Sequence, residues 1–245
     1  MAYKEFANIY DKLIYEDINY NEISNKIMDI CENNNIELLD YLDLACGTGS
    51  VSCRVGKNFK NTYAVDLSSE MLNIAFEKMK SNKIKAKIIC QDMSELCLNH
   101  EFDLITCVLD STNYLLQRED LMDYLRGVYN HLKKDGIFVF DINSYYKLSE
   151  IMGDNTYTYS SEDIFYTWEN SFENEVLNMF LTFFVKNDNG FYERFEEAHY
   201  ERAYRESTIE DYICKIGFKI IDKFDGYTDN IPSAKSERIV YVVKA

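Results

Sequence analysis

Acidic side chains and glycines meet in one short stretch of the chain, and their spacing suits the binding of a nucleotide-like ligand. Asp43 lies near the end of an apolar run of strand type, and Gly47 and Gly49 follow before a segment that can begin a helix. Glycine lets a ligand approach the backbone and permits positive φ in a tight turn. The first N–H groups of a helix favour a carboxylate or a phosphate. Asp66 ends a second short strand, where α/β nucleotide-binding folds hydrogen-bond ribose hydroxyls. The alternative is an ordinary strand-to-helix turn without a ligand.

Regular elements are predicted on both sides of this turn. Ser68 or Ser69 caps a helix with apolar periodicity, and a third strand precedes Gln91. Residues 102–108 are almost continuously apolar, which predicts a central parallel strand buried on both faces. An amphipathic helix over residues 118–134 is expected to end at a cap formed by Gly136, before a fifth strand.

The pattern changes after the fifth strand. Residues 156–204 consist of long runs rich in aromatic and β-branched residues, and Asn189-Gly190 between two such runs is typical of a β-hairpin. We expect an antiparallel sheet here, acting as a lid over a substrate. A helix closed by Gly217 and two further strands complete the chain.

Five motifs in this order resemble the class I S-adenosylmethionine-dependent methyltransferases, of the small-molecule type with a β-sheet insert. They are Asp43-x-Ala45-x-Gly47-x-Gly49, Val65-Asp66-Leu67-Ser68-x-x-Met71-Leu72, Gln91-Asp92-Met93, Phe102-Asp103-Leu104-Ile105 and Leu132-Lys133-Lys134-Asp135-Gly136. The resemblance covers residues 38–141 and the C-terminal segment. Its one departure is Ala45, which stands where many members have glycine.

The resemblance implies an α/β fold. The expected architecture is a Rossmann-like seven-stranded mixed sheet with an antiparallel β-sheet lid inserted after strand 5. Residues 1–150 and 205–245 would form the cofactor domain, and residues 151–204 the insert.

It also implies S-adenosylmethionine as the cofactor. Asp92 would accept the adenine amine, and the Met93 backbone N–H would reach the ring. Tyr10 would lie near the sulfonium, whose charge an aromatic face attracts; the alternative for Tyr10 is an ordinary packing helix. The full predicted cofactor set is Tyr10, Asp43, Ala45, Gly47, Gly49, Asp66, Leu67, Met71, Gln91, Asp92, Met93 and Val108.

Methyl transfer from a sulfonium needs alignment, exclusion of water and, for an amine or hydroxyl acceptor, removal of a proton. Candidates for this work are Asp110 and Tyr114, in the loop after the fourth strand, and His199 in the insert. The alternative for His199 is a half-exposed partner of neighbouring acids. The insert is rich in acids, which indicates either a solvated sheet face or an acidic mouth that concentrates a cationic amine.

Composition and short sequence patterns argue against several classes of protein and of binding site. A formal charge of −16 argues against a nucleic-acid partner, as does the absence of an Asn-Pro-Pro-Tyr or Asp-Pro-Pro-Tyr sequence. The seven cysteines are scattered and predict buried thiols rather than a disulfide or zinc framework. No metal site is expected. There is no signal-peptide pattern and no membrane span, so we expect a cytoplasmic protein without a membrane partner.

The predicted function is therefore transfer of a methyl group to a small-molecule acceptor, with nitrogen favoured over oxygen. A non-catalytic cofactor-binding module and an NAD-dependent dehydrogenase are the alternatives. The dehydrogenase is disfavoured because the turn lacks a third glycine and because Asp43 would face a pyrophosphate.

Overall fold

Eleven strands form two sheets in the computed structural model, which describes residues 18–187 and 189–245. In chain order they are β1 (Asp40–Leu44), β2 (Asn61–Asp66), β3 (Ala86–Cys90), β4 (Phe102–Cys107), β5 (Leu132–Asn143), β6 (Thr156–Ser160), β7 (Ile164–Glu173), β8 (Val176–Lys186), β9 (Tyr192–Arg202), β10 (Lys219–Asp225) and β11 (Arg238–Lys244). Seven of them form the larger sheet in the order β10-β11-β5-β4-β1-β2-β3, and β6-β7-β8-β9 form the smaller one. The Rossmann-like mixed sheet with an antiparallel insertion after strand 5 is confirmed.

Strands β1 to β5 of the larger sheet run parallel, while β11 pairs antiparallel with both β5 and β10. The continuous apolar run in β4 is buried along its whole length, as predicted. The carboxyl ends of the parallel strands meet at one edge of the sheet, which is where open α/β sheets bind ligands.

Five α-helices accompany the sheets in the described residues: α1 (Tyr20–Asn33), α2 (Ser50–Gly56), α3 (Ser69–Ser81), α4 (Arg118–His131) and α5 (Glu206–Ile216). Ile23, Ile27 and Ile30 recur at helical spacing and bury one face of α1. Ser68 caps α3, as predicted, by accepting a hydrogen bond from the Met71 N–H at 3.2 Å. None of these helices is long and apolar enough to cross a membrane.

The predicted end of α4 is wrong. The helix stops at His131 and Leu132 already begins β5, so no glycine cap separates the two elements. Gly136 lies inside the strand, where an added Cβ would come within 2.8 Å of the Phe102 carbonyl oxygen. Close packing of neighbouring strands, and not helix termination, requires glycine at this position.

The smaller sheet has one apolar face. Leu177, Met179, Leu181 and Phe183 alternate along β8 and are all buried, whereas Phe180 on the opposite face is 48% exposed. This period of two is the pattern of an antiparallel strand with one covered face. The predicted hairpin at Asn189-Gly190 is confirmed, because Lys186 pairs with Tyr192 across the turn.

Asn113 joins the two sheets where β5 and β9 end. Its side chain is fully buried and donates hydrogen bonds to the carbonyl oxygens of Asn143 at 3.1 Å and Arg202 at 3.0 Å. Its Oδ1 accepts from the Asn143 N–H at 2.9 Å. Nearby, the Tyr204 hydroxyl donates to the Leu115 carbonyl. These contacts fix the end of β9 against the loop that follows β4.

Candidate active site

A cavity of about 400 Å³ lies between the carboxyl ends of the larger sheet and the apolar face of the smaller one. Its volume is in the usual range for small-molecule sites. Apart from Gly49, every predicted site residue that the structure describes lines this cavity. These residues are Asp43, Ala45, Gly47, Asp66, Leu67, Met71, Gln91, Asp92, Met93, Val108, Asp110, Tyr114 and His199. The prediction for Tyr10 lies outside the described residues.

The turn after β1 has left-handed backbone at three positions. Ala45, Gly47 and Gly49 have φ values of 55°, 53° and 74°. A Cβ on Gly47 would meet nothing within 4 Å, so the conformation and the open space beside it favour glycine. A Cβ on Gly49 would lie 3.0 Å from the Cβ of Ala75. Gly49 is therefore favoured both by its left-handed backbone and by its packing against α3. It does not line the cavity, and its contact with the cofactor stays a prediction.

Asp66 is held by backbone donors beside this turn. Its Oδ2 accepts from the Gly47 N–H and its Oδ1 from the Ser68 N–H, both at 2.8 Å. Burial raises the pKa of the carboxyl group, and the two N–H groups oppose that rise. Each oxygen keeps a further lone pair, so a fixed carboxylate remains able to accept from two neighbouring hydroxyls.

Asp43 lies deeper and is 1% exposed. One oxygen accepts from the Ser52 hydroxyl and the other from the Thr106 hydroxyl at 2.8 Å. Burial raises the pKa of Asp43 to about 6. Each oxygen thus accepts one hydrogen bond from this chain, and the side chain ties β1 to α2 and β4 at the floor of the cavity.

A third acid lies after β3. Asp92 begins the short 3₁₀ turn Met93–Glu95, and its Oδ1 accepts from the N–H and the hydroxyl of Ser94 at 2.8 and 2.7 Å. Asp92 therefore caps this turn. Its Oδ2 makes no hydrogen bond within the described part of the chain and is available to a ligand donor.

An ion network fixes the loop after β4. Asp141 is fully buried and accepts from the N–H groups of Leu109 at 2.8 Å and Asp110 at 2.7 Å. The Tyr227 hydroxyl and the Arg238 guanidinium also donate to it. Arg238 donates in addition to Asp110 Oδ1 at 2.6 Å. Leu109 and Asp110 both have left-handed φ, 59° and 57°, and this network holds them there.

His199 and Tyr114 meet on the opposite wall. The Tyr114 hydroxyl lies 3.4 Å from His199 Nδ1, and the rings pack edge to face. Burial lowers the pKa of His199 to about 4, although the charge of Asp110 opposes that shift. His199 is therefore uncharged at neutral pH and a weak base.

The prediction of site residues missed Glu201. This side chain is 3% exposed, lines the cavity and accepts from Asn143 Nδ2 at 2.8 Å. Burial, together with the charge of Asp110, raises the pKa of Glu201 to about 8. The sequence did contain a sign of this position: Glu201 follows His199 by two residues on a strand, so both side chains lie on the same face. Most other acids of the insert are exposed, as expected for a solvated face; they are Glu162, Asp163, Glu169, Glu173, Glu193 and Glu196.

These features fit a nucleoside-containing cofactor. They provide a carboxylate held by two backbone N–H groups, an acid with an open oxygen and a glycine turn without an obstructing Cβ. The described residues contain no cluster of side chains able to hold a metal ion.

Comparison with known proteins identifies the family. A family model described as a methyltransferase domain matches residues 42–136. A relative from Geobacillus sp. (strain WCH70) that is assigned as a methyltransferase is 34% identical over the whole of both chains. A dTDP-3-amino-3,4,6-trideoxy-α-D-glucopyranose N,N-dimethyltransferase of Streptomyces venezuelae is 27% identical over 57% of this chain and 56% of its own.

A solved structure supports the same family. That of an S-adenosylmethionine-dependent methyltransferase from Clostridium acetobutylicum ATCC 824 is 50% identical, with a TM-score of 0.93, and the match covers 99% of this chain and 98% of that one. The dehydrogenase alternative is thereby set aside. The chain belongs to the class I S-adenosylmethionine-dependent methyltransferases, and S-adenosylmethionine is its cofactor.

Proposed function

We propose that the acceptor of the methyl group is a small-molecule amine that is cationic in solution. The observation that carries this proposal is the charge of the cavity. Among its described lining residues there are five acids and neither lysine nor arginine; the acids are Asp43, Asp66, Asp92, Asp110 and Glu201. An acidic cleft of low dielectric concentrates cations, and Glu201, whose pKa is raised to about 8, adds its charge once a cation lies beside it.

The cofactor would occupy the wall formed after β1, β2 and β3. S-adenosylmethionine supplies a methyl group already activated by a positively charged sulfur. Asp66 would accept from the ribose hydroxyls and Asp92 Oδ2 from the adenine amine, while the Met93 backbone would contact the ring. Leu67, Met71, Gln91 and Val108 would provide the remaining contacts. The Gly47 turn would leave room for the methionine part.

The acceptor would occupy the opposite wall, formed by the loop after β4, the strand β9 and the apolar face of the smaller sheet. Tyr166, Trp168 and Phe183 of the smaller sheet line it, and aromatic faces both exclude water and attract a cation. In this arrangement the smaller sheet, in residues 151–204, is the substrate lid of a cofactor domain formed by the rest of the chain. Asp110, positioned by Arg238, contributes negative charge.

Nitrogen is favoured over oxygen by the weakness of the available bases. An alcohol requires a strong base, whereas an alkylammonium only has to lose a proton of ordinary acidity. Neither His199, whose pKa burial lowers to about 4, nor Glu201, whose pKa burial raises to about 8, is a strong enough base to ionise an alcohol. The Streptomyces venezuelae relative, an N,N-dimethyltransferase of an amino sugar nucleotide, is in keeping with an amine acceptor.

We also propose a cytoplasmic location. All seven cysteines are free thiols, which suits a reducing compartment. Cys90, Cys97 and Cys214 are exposed, so the expectation that all seven are buried is wrong for these three.

The test is a screen with S-adenosylmethionine labelled in the methyl group. Small amines and the alcohols of matched carbon skeleton are incubated with the protein, and labelled products are identified by mass spectrometry. We expect methylated amines and no methylated alcohol. Methylation of alcohols alone, or of carboxylic acids, would contradict an amine acceptor.

A further inference from the structure

We infer that Glu201 is the residue that pairs with the ammonium group of the acceptor and takes up its proton before methyl transfer. This inference rests on the proposed amine acceptor and adds to it the group that makes the amine nucleophilic.

The position of Glu201 is fixed from one side and open on the other. Asn143 Nδ2 donates to its Oε2 at 2.8 Å, and Lys147 Nζ donates to Asn143 Oδ1 at 3.0 Å. The lysine thus orients the amide so that its NH₂ group faces the carboxyl. Oε1 accepts no hydrogen bond within the described residues, and Glu201 lines the cavity. One oxygen is therefore held, and the other is free for a ligand.

Charged groups face Glu201 from several elements, yet none of the described residues forms an ion pair with it. Lys147, at the start of the π-helix Lys147–Met152 after β5, is engaged by Asn143. Arg238 on β11 is engaged by Asp110 and Asp141. The remaining titratable neighbours carry negative charge or none: they are Asp110, His199, which lies two residues earlier on the same face of β9, and Tyr114, which contacts His199. A carboxyl that is buried and lacks an ion-pair partner needs a cation from elsewhere before it can ionise.

The other candidate bases are less suited to the task. Asp110 is held by Arg238 through Oδ1, and its loop is fixed by Asp141. His199 is a weak base, since burial lowers its pKa to about 4. Glu201 is the one lining acid of the acceptor wall that a guanidinium does not already engage.

The proton balance follows from these surroundings. Burial raises the pKa of Glu201 to about 8, so at pH 7 the group is a neutral carboxylic acid when no cation lies beside it. An entering ammonium favours the carboxylate, and the displaced proton leaves to solvent. Within the ion pair, one proton then moves from nitrogen to Oε1 and the electron pair of that N–H bond stays on nitrogen. The amine is now neutral and able to attack, and the carboxyl group is again an acid.

The experiment measures proton release on binding. Protein saturated with S-adenosylhomocysteine is titrated calorimetrically with 2-phenylethylamine, and with 2-phenylethanol as its uncharged analogue, in phosphate and in Tris buffer. The difference in heat between the two buffers gives the protons released. We expect about 0.9 proton per amine at pH 7 and about 0.1 at pH 9, from linkage to the carboxyl of Glu201, and none for the alcohol.

Three variants make the test specific. Glu201→Gln should lose the release and bind the amine at least tenfold more weakly, whereas Glu201→Asp keeps an acid and should retain most of the release. Glu196→Gln is the matched control, because Glu196 is on the same strand with a side chain that is 62% exposed. It should behave as the unmodified protein does. Circular dichroism checks that each variant is folded.

The outcomes separate the two proposals. Equal proton release in Glu201→Gln, release absent from the unmodified protein, or no amine binding at millimolar concentration each overturns the role of Glu201. Methylation of amines in the labelled screen, combined with any of these, would leave the proposed function standing. Release that depends on Glu201 without any methylated amine would support the ammonium site and contradict the proposed reaction.

Discussion

The two walls of the cavity are built in different ways. The wall proposed for the cofactor, called the cofactor wall, consists of the turns after β1, β2 and β3. Its contact between the Gly47 N–H and Asp66 joins residues 19 apart in the chain. The wall proposed for the acceptor, called the acceptor wall, consists of the loop after β4, the strand β9 and the apolar face of the smaller sheet. Its contacts join distant residues: Tyr114 and His199 are 85 apart, and Asp110 and Arg238 are 128 apart.

The two walls also differ in the free energy needed to place their polar groups. The cofactor wall uses backbone N–H groups and glycines, which cost little to place once the local strand-turn-helix unit has formed. The acceptor wall brings carboxyl groups into a buried setting and depends on one arginine to compensate two of them. Burying charge is expensive unless it is paired. We therefore expect changes in the acceptor wall to affect stability, and changes in the cofactor wall to affect ligand binding.

The largest effect is expected for Asp141→Ala. This change removes the acceptor of the Leu109 and Asp110 N–H groups and leaves Arg238 with a single partner. We expect a loss of about 3–5 kcal/mol in the free energy of unfolding, measured by urea denaturation. Affinity for S-adenosylmethionine, measured on the folded fraction, should change less than about threefold, equivalent to about 0.7 kcal/mol.

Asp123→Ala is the control for this change. Asp123 is 56% exposed and pairs with Arg126 on the surface of α4, so its loss should cost less than about 1 kcal/mol. A similar loss of stability in both variants would show that the buried network around Asp141 stabilises the fold no more than an exposed ion pair does.

The next effect is a pH dependence of stability that originates at Glu201. The pKa of this group is 4.5 in the unfolded chain and rises to about 8 on burial. Between these values the folded state binds one more proton, so this group's contribution falls by up to about 1.4 kcal/mol per pH unit as pH rises. Its stabilising effect is complete below pH 4.5 and lost above about 8.

Glu201→Gln removes that slope. The variant should therefore gain stability relative to the unmodified protein as pH rises from 5 to 8, measured by urea denaturation at each pH. Glu196→Gln should show no such gain. Parallel pH profiles for all three proteins would mean that Glu201 is ionised in the folded state.

Short-range features of the site were predictable from the sequence, and long-range ones were not. Asp66, Gly47 and Asp92 lie in motifs whose spacing alone places them at strand ends, and the structure puts them around one cavity. Arg238 could be assigned only to a strand, because nothing local indicates that it reaches Asp110. The fold followed from the same local logic, since each strand, turn and helix carries its own period.

One local error shows where this logic ends. Gly136 was explained by a common local role of glycine, a helix cap, and the structure assigns it to packing against Phe102. A sequence does not distinguish a glycine needed at a helix end from one needed because a distant backbone approaches. Glu201 was missed for a related reason: its spacing of two from His199 places both side chains on one face of a strand, but which face points inward depends on the register.

Asp66→Ala examines the cofactor wall. A charged hydrogen bond contributes roughly 1.5–3 kcal/mol, so S-adenosylmethionine affinity should weaken about 10- to 100-fold, as measured by calorimetric titration. Asp222→Ala, at an exposed position on β10, makes the same change in net charge and should leave the affinity unaltered. Unchanged affinity in a folded Asp66→Ala variant would remove Asp66 from the ribose role.

The smallest effect concerns Ala45, where the family resemblance allows glycine. Its φ of 55° is a left-handed conformation, which costs an alanine about 1–2 kcal/mol. Glycine adopts it without strain but loses about 0.5–1 kcal/mol more conformational entropy on folding. We expect Ala45→Gly to raise the free energy of unfolding by about 0–1 kcal/mol and to leave cofactor affinity within about twofold, or about 0.4 kcal/mol.

Ala86→Gly provides the matched comparison, because Ala86 lies in β3 with an ordinary extended backbone and should lose about 0.5–1 kcal/mol. The sign of the difference between the two variants isolates the backbone conformation of the turn. If both lost stability equally, the left-handed geometry at Ala45 would carry no strain, and the turn would tolerate alanine for reasons of packing alone.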